Sequence, residues 1–173
     1  MKIVLVGYMG SGKTTIGSLL SERLNLPLID LDQYISERQK MSITDIFKQK
    51  GAVYFRKLER EALSYLGQSA DSFILSTGGG TPCFGDNMRQ MLNFSNARVL
   101  YLKLSIPELV HRLEGAMDQR PLLQGLDKTV LPEFIGKHLF ERAPFYEQAH
   151  LVVPALGRAA EEITEEIVAL LKD

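Results

Sequence analysis

A glycine-rich loop near the amino terminus constrains the fold of this chain more than any other feature. Residues 7–14 read Gly-Tyr-Met-Gly-Ser-Gly-Lys-Thr and match the pattern G-x-x-x-x-G-K-[ST] at every fixed position. The loop follows the apolar run 2–6 and precedes a segment in which Ile16, Leu20 and Leu24 fall at helical spacing. A strand, a glycine loop and a helix in this order predict a phosphate site, because backbone N–H groups and the positive helix end both face the anion.

The residue types inside this loop indicate nucleotide chemistry. We expect Lys13 to place its charge on the β- and γ-phosphates of ATP, and the Thr14 hydroxyl to ligate Mg²⁺. The other loop residues expected at the nucleotide are Gly10, Ser11, Gly12 and Thr15. The alternative is a glycine turn with a solvated lysine. Nucleotide binding alone does not separate a kinase from a switch GTPase, a motor ATPase or a binding module.

Composition places the chain among ordinary globular proteins and excludes several classes of partner. Of its 173 residues 45% are hydrophobic and 24% charged, which favours one domain covering 1–173. The formal net charge of −1 argues against nucleic-acid and membrane-surface partners. Cys83 is the only cysteine, so a reducing compartment is the simpler interpretation. No apolar run approaches the roughly 18 residues of a membrane span, and we expect a cytoplasmic monomer.

Short apolar runs alternate with longer segments of helical period along the whole chain. This alternation predicts an α/β fold with a parallel sheet flanked by helices. The predicted strands are 2–6, 28–30, 73–77, 98–102 and 150–153. One helix is predicted to follow Lys13, and a second runs from Ser42 to Gly51. The next helix buries Phe55 and Leu66 and leaves Glu59 on a face other than the apolar one. Further helices are predicted at about 106–114, 128–141 and 158–172.

Two further motifs follow predicted strands and therefore lie at the same edge of the sheet. In Asp30-Leu31-Asp32 we expect an extended strand end that puts both carboxylates on one side, one for the Mg²⁺ shell and one for an attacking hydroxyl. The alternative is that these aspartates cap the next helix. The triplet 78–80 consists of glycines, which either expose backbone N–H groups to a ligand or make a tight turn.

The segment 114–128 differs from its surroundings. It has weak periodicity, glycines at 115 and 125, and an Arg-Pro-Leu-Leu run at 120–123. Loops of about 12 to 15 residues without their own structure are uncommon in compact domains and are often active-site lids. We expect a mobile surface lid.

Taken together, these motifs resemble the shikimate kinase family over nearly the whole chain. The matching segments are Gly-x-Met-Gly-Ser-Gly-Lys-Thr-Thr-x-Gly at 7–17, Asp-x-Asp at 30–32, Phe-Arg-x-x-Glu at 55–59, the glycine triplet at 78–80, Arg-Pro-Leu-Leu at 120–123 and Glu-Arg-x-x-x-Tyr at 141–146. Each short motif is weak alone, but their common order is specific. The resemblance implies a nucleoside monophosphate kinase-like three-layer fold with five parallel strands, an acceptor-binding subdomain at about 32–62 and a lid at about 112–126.

The same resemblance implies a reaction and a role for each matching residue. ATP would phosphorylate shikimate at its 3-hydroxyl, within chorismate and aromatic amino acid biosynthesis. Asp32 would hold the hydroxyl and Asp30 would order the magnesium shell. The acceptor pocket would include Arg56, Arg142 and the backbone of Gly78, Gly79 and Gly80. Arg120 would close over the phosphates, and Arg112 and Arg158 would lie near adenine, although Val153-Pro154-Ala155-Leu156 lacks the polar turn usual before the latter.

The chemistry of arginine supports these roles, because its planar guanidinium donates two parallel hydrogen bonds to a carboxylate or a phosphate.

Two alternative functions stay open at this point. One is a kinase for another anionic hydroxy compound such as gluconate. The other is a nucleotide-sensing module that lost its chemistry, which would be expected to have lost Asp32, Arg56 or Arg142, and all three are present.

Overall fold

A computed structural model describes residues 1–120 and 122–172 of the chain, so Pro121 of the predicted lid and Asp173 lie outside the described residues. Its centre is a parallel sheet with the strand order β2-β3-β1-β4-β5. The strands are β1 (Lys2–Val6), β2 (Leu28–Asp30), β3 (Phe73–Ser76), β4 (Ala97–Lys103) and β5 (Leu151–Pro154). The five predicted strands are confirmed, with ends shifted by one residue in the last three.

Helices cover both faces of this sheet. They are α1 (Lys13–Leu24), α2 (Leu31–Gln39), α3 (Ile43–Gln68), α4 (Asn87–Leu92), α5 (Ile106–Glu114), α6 (Leu131–Tyr146) and α7 (Ala160–Leu170). Short 3₁₀ turns lie at Thr81–Cys83, Met117–Gln119 and Lys128–Val130. The central strands β1 and β3 are buried along their whole length, as expected for parallel strands covered on both faces.

The expectation that Asp30 and Asp32 share an extended strand end is wrong. Strand β2 ends at Asp30, and α2 begins at Leu31, so Asp32 lies in the first helical turn. The Asp30 carboxylate caps this helix by accepting hydrogen bonds from the amides of Asp32 (3.0 Å) and Gln33 (3.1 Å). The chain forms a capped helix here rather than an extended strand end, because the first amides of a helix have no partner within it and a short acidic side chain reaches them.

The predicted helix end at Gly51 is a kink inside α3. Gly51 has φ 83° and ψ 170°, and helical conformation resumes directly after it. A positive φ of this size is accessible to glycine at little cost, so the chain changes direction here without a loop. The predicted start is confirmed, since the Ser42 side chain accepts a hydrogen bond from the Asp45 amide at 3.1 Å.

Helix α5 agrees with the prediction for 106–114, the last two helices have shifted ends, and α4 (Asn87–Leu92) was not predicted. The segment predicted at 128–141 starts as a 3₁₀ turn and continues as α6 to Tyr146, and the last helix is α7 at Ala160–Leu170. The predicted lid is more structured than a surface loop, because Met117 and Leu123 pack into the core. Within residues 1–120 and 122–172, no helix is both long and apolar enough to cross a membrane.

Candidate active site

The glycine loop between β1 and α1 has the backbone geometry that anion binding requires. Gly10 (φ 79°) and Gly12 (φ 93°) adopt left-handed conformations that other residues rarely adopt. A Cβ on Gly7 would lie 2.9 Å from the carbonyl oxygen of Leu102, so the loop can pass this close to β4 only as glycine. Because Gly12 is the N-cap of α1 and has no side chain, the first amides of that helix remain available to an anion.

Lys13 is buried at the base of the loop. Its Nζ donates hydrogen bonds to the carbonyl oxygens of Gly7 (2.9 Å) and Tyr8 (3.0 Å). Burial, followed by the positive charge of Arg120, lowers the pKa of Lys13 to about 8. The ammonium group is therefore held in place by neutral acceptors, and a phosphate arriving nearby would restore the stability of its charged form.

A cleft of about 420 Å³ opens in front of this loop, at the carboxyl ends of the strands. Eleven of the residues expected at the site line it: Gly10, Gly12, Lys13, Thr14, Thr15, Asp30, Asp32, Gly78, Gly79, Arg112 and Arg120. Ser11 is buried within the loop itself. Most of the expected nucleotide residues and both acidic residues therefore face one space.

Asp32 has an unmet hydrogen-bonding requirement in this cleft. Its Oδ1 is buried and has no hydrogen-bond partner among the residues that the structure describes. Burial, followed by the negative charges of Asp30 and Glu59, raises the pKa of Asp32 to about 6. A buried carboxylate oxygen without a donor is costly, so this atom is suited to accept a hydrogen bond from a ligand hydroxyl.

The glycine triplet brings three expected acceptor-binding side chains to one stretch of backbone. A Cβ on Gly78 would lie 3.3 Å from Asp32 Oδ1. At the next two glycines the corresponding distances are 3.6 Å to Arg142 Nη1 and 2.9 Å to Arg56 Nη2. The triplet is thus a site of close approach, because a larger residue at its last position would collide with a guanidinium. Asp32, Arg56 and Arg142 lie on the same side of the molecule.

Arg56 is held in this position by Glu59, which the helical pattern predicted to lie on a face other than the buried apolar one. That expectation is wrong, since Glu59 is only 1% exposed. Its Oε2 accepts a hydrogen bond from Arg56 Nη1 at 2.6 Å, and its Oε1 accepts one from the Thr81 hydroxyl at 2.6 Å. Burial is tolerated because the carboxylate is fully paired. The i, i+3 spacing of arginine and glutamate in Phe-Arg-x-x-Glu was the available signal.

Arg142 projects from α6 towards the glycine triplet. Its Cζ lies 5.9 Å from the centre of the Tyr8 ring, within the range of a cation–π interaction. Tyr146, one turn further along α6, donates a hydrogen bond to the carbonyl oxygen of Gly79 at 2.5 Å. This hydrogen bond, which the sequence did not predict, connects α6 to the glycine triplet and so helps to position Arg142 on the same helix.

The two arginines expected near adenine differ in their placement. Arg112 reaches the glycine loop, where its Nη1 donates to the Gly10 carbonyl at 3.4 Å while its Nε donates to Glu108 at 2.8 Å. Arg158 does not line the cleft in the described part of the chain. It pairs with Glu166 and donates to the Pro154 carbonyl at 3.0 Å, because the acidic side chain of α7 competes for its charge.

A parallel sheet in the order β2-β3-β1-β4-β5, a glycine loop with the geometry for anion binding, and one carboxylate and two arginines beside the glycine triplet are the features of a P-loop small-molecule kinase. The family model for shikimate kinase matches residues 9–172. The chain belongs to the shikimate kinase family.

Individual relatives agree with this assignment. Shikimate kinase of Flavobacterium psychrophilum is 45% identical over 170 residues, which cover 98% of both chains. The solved shikimate kinase of Bacteroides thetaiotaomicron superposes with a TM-score of 0.90 at 39% identity, covering 100% of this chain and 99% of that one. The Acinetobacter baumannii enzyme, solved in complex with shikimate, gives 0.87 at 31% identity and covers 99% and 92%. A gluconokinase from Sinorhizobium meliloti, at 18% identity and a TM-score of 0.60, shares the fold alone.

Proposed function

We propose that this chain transfers the γ-phosphoryl group of ATP to the 3-hydroxyl of shikimate, yielding ADP and shikimate 3-phosphate in chorismate and aromatic amino acid biosynthesis. The observation that carries the proposal is the buried Asp32 Oδ1, which has no hydrogen-bond partner within residues 1–120 and 122–172 and lies beside a glycine triplet flanked by two guanidinium groups. One acceptor oxygen and two cations suit a small acid that also carries a hydroxyl group. Membership of the shikimate kinase family supports this acceptor.

The glycine loop would bind the triphosphate of ATP. The amides at the start of α1 and the ammonium of Lys13 would contact its oxygens, with Ser11, Thr14 and Thr15 completing the cradle. Lys13 would exchange its two carbonyl partners for phosphate oxygens, which are stronger acceptors. Arg112 at the rim of the cleft would lie on the adenine side, and Arg158 would reach it only after leaving Glu166.

The residues present fit a magnesium ion bound together with the phosphates. Thr14 and Asp30 both line the cleft and offer hard oxygen atoms, which Mg²⁺ prefers. Among the described residues, no cluster of three or more His, Cys, Asp or Glu side chains could hold a metal ion. Magnesium at nucleotide sites commonly uses one or two protein oxygens, waters and phosphate oxygens. When bound there, the ion would neutralise charge on the transferring phosphoryl group.

On the acceptor side, Arg56 and Arg142 would bind the carboxylate of shikimate. Both guanidinium groups lie near the glycine triplet, Arg142 at Gly79 and Arg56 at Gly80, so both could reach a carboxylate bound beside it. Asp32 would accept the hydrogen bond of the 3-hydroxyl and would receive its proton late in the transfer. With a pKa of about 6, the Asp32 carboxylate is mainly ionised at pH 7, as this role requires.

Catalysis would depend on alignment and charge stabilisation rather than on covalent chemistry. Lys13 would contact the β- and γ-phosphates, and Arg120 at the edge of the cleft is close enough to lower the pKa of Lys13. Movement of the lid would bring the Arg120 guanidinium onto the transferred group. We further propose that the enzyme is a monomer in the cytoplasm.

A coupled assay of ADP release tests this proposal. We expect ATP consumption to depend on shikimate and on Mg²⁺, and to stay at background level with gluconate as the acceptor. Mass spectrometry of the product should detect a monophosphate of shikimate. ADP release that is independent of shikimate, or faster with gluconate, would overturn the assignment.

A further inference from the structure

The turn that follows the glycine triplet places an aromatic ring on Arg56. The centre of the Phe84 ring lies 3.9 Å from Arg56 Cζ, a separation at which the guanidinium stacks on the ring face. Gly80 confines the same guanidinium from another direction, since a Cβ there would lie 2.9 Å from its Nη2.

The same turn also holds the partner of Arg56. The Thr81 hydroxyl donates to Glu59 Oε1, while Glu59 Oε2 accepts from Arg56 Nη1. The turn is itself anchored, because the Asn87 side chain donates to the Thr81 carbonyl at 3.0 Å. Glu59 lies on α3 and Phe84 at the end of the turn, and the Thr81 hydroxyl connects the two, so both of these contacts of Arg56 are linked to one another.

Stacking and ion pairing act differently on a guanidinium. An ion pair occupies N–H donors and compensates the positive charge, as Glu59 does at Nη1. An aromatic face contacts the guanidinium plane and leaves its in-plane N–H donors available. Phe84 can therefore fix the orientation of Arg56 while preserving the donors and the charge that an acid would need.

Burial does not explain the position of Phe84. The side chain is 42% exposed on an extended stretch of backbone with φ −112° and ψ 133°. Isolated exposed apolar residues are common on protein surfaces and need no special cause. This ring, however, covers a cation that also contacts Glu59 and Gly80 at the candidate site and lies 5.3 Å from the centre of the Phe55 ring.

We propose that Phe84 is a positioning residue for the acceptor, whose ring sets the plane of the Arg56 guanidinium so that the free edge meets the acceptor carboxylate. The inference rests on the proposed function, because it assumes that Arg56 binds the acid. Phe84 acts through Arg56 and takes no part in the chemical step.

The test compares Phe84→Leu, Phe84→Met and Phe84→Tyr. Loss of the aromatic face should raise the KM for shikimate about 3- to 10-fold in the first two variants, as expected for a partly exposed cation–π contact. The KM for ATP and kcat should remain at wild-type values, which also shows that the variants fold. Phe84→Tyr keeps the aromatic face and should restore the wild-type KM for shikimate.

Tyr65→Leu provides a matched control outside the site. Tyr65 is 60% exposed and stacks on Arg38 with a separation of 5.0 Å, so this change also removes a ring from an arginine. Its kinetic constants should equal those of the wild type.

The outcomes separate this inference from the proposed function. If Phe84→Leu and Phe84→Met keep the wild-type KM for shikimate, or Phe84→Tyr is as impaired as they are, Phe84 has no positioning role. If Arg56→Lys raises that KM while Phe84→Leu does not, only the role of Phe84 fails. If Arg56→Lys also leaves it unchanged, the acceptor site itself is wrongly assigned.

Discussion

Tyr8 and His138 join the glycine loop to the helix that carries Arg142. The Tyr8 hydroxyl lies 2.8 Å from His138 Nδ1, and the two rings meet edge to face at 5.5 Å. His138 and Arg142 are one turn apart on α6, so both contact the same tyrosine. A residue of the glycine loop thereby contacts the arginine that is proposed to bind the acceptor.

Removing the Tyr8 hydroxyl should weaken the contact between the glycine loop and α6 without leaving a cavity. In Tyr8→Phe the ring remains under Arg142, but His138 Nδ1 loses its partner. We expect a loss of about 1 kcal/mol in the free energy of unfolding, which corresponds to about 2–4 °C in Tm for a chain of this length. The KM for shikimate should rise more than the KM for ATP. Calorimetry and steady-state kinetics measure both effects, and an unchanged Tm would contradict the account.

His138 should also make stability depend on pH. Burial, followed by the positive charge of Arg142, lowers the pKa of His138 below its ordinary 6.5. Between the two pKa values the unfolded chain binds more protons than the folded one, so the free energy of unfolding falls as pH drops from above 6.5 through this window. His138→Gln should lose this part of the pH dependence. NMR titration should show His138 protonating below 6.5, and a value above 6.5 would contradict the prediction.

Asp32→Asn separates nucleotide binding from turnover. The amide retains the size of the side chain but cannot take a proton, so kcat should fall by about 10²–10⁴. The dissociation constant for ADP, measured by calorimetric titration, should change little because Lys13 and the loop amides are intact. A variant with normal turnover would remove Asp32 from the mechanism.

Arg56→Lys tests the geometry of the acceptor contact at constant charge. Lysine cannot donate two parallel hydrogen bonds to a carboxylate and would leave the buried Glu59 less well paired. A lost hydrogen bond to a charged group is worth about 1.5–3 kcal/mol, or roughly 10- to 100-fold in the KM for shikimate. An unchanged KM would show that the carboxylate is held elsewhere.

Local patterns predicted the parts of the fold that depend on neighbouring residues. The glycine loop of residues 7–14 is complete in the sequence, and strands such as β1 are apolar throughout because both their faces are buried. The helix α2 was missed because it starts directly at the strand end and buries only Leu31 and Ile35, which is too weak a periodic signal. The six-residue α4 has the same weakness.

Contacts between distant segments could not be predicted in this way. Helical periodicity predicted Glu59 on a face other than the apolar one, and only the fold brings Thr81 within 2.6 Å of it. The sequence around Phe84 did not predict a role for this residue, because its contact is with Arg56 on α3, and strand β3 separates the two in the chain. Arg158 was expected at the nucleotide, but it forms an ion pair with Glu166 instead. This pairing depends on how α7 packs after β5, which the sequence pattern does not reveal.

The comparison of shikimate with its methyl ester tests the central claim most directly. The account holds that two guanidinium groups beside the glycine triplet bind a carboxylate and thereby place a hydroxyl at Asp32. Esterification removes the negative charge and leaves the 3-hydroxyl intact. The account predicts that kcat/KM for the ester falls at least about 100-fold, the loss of charged hydrogen bonds to two arginines. Equal values of kcat/KM for the acid and the ester would contradict it.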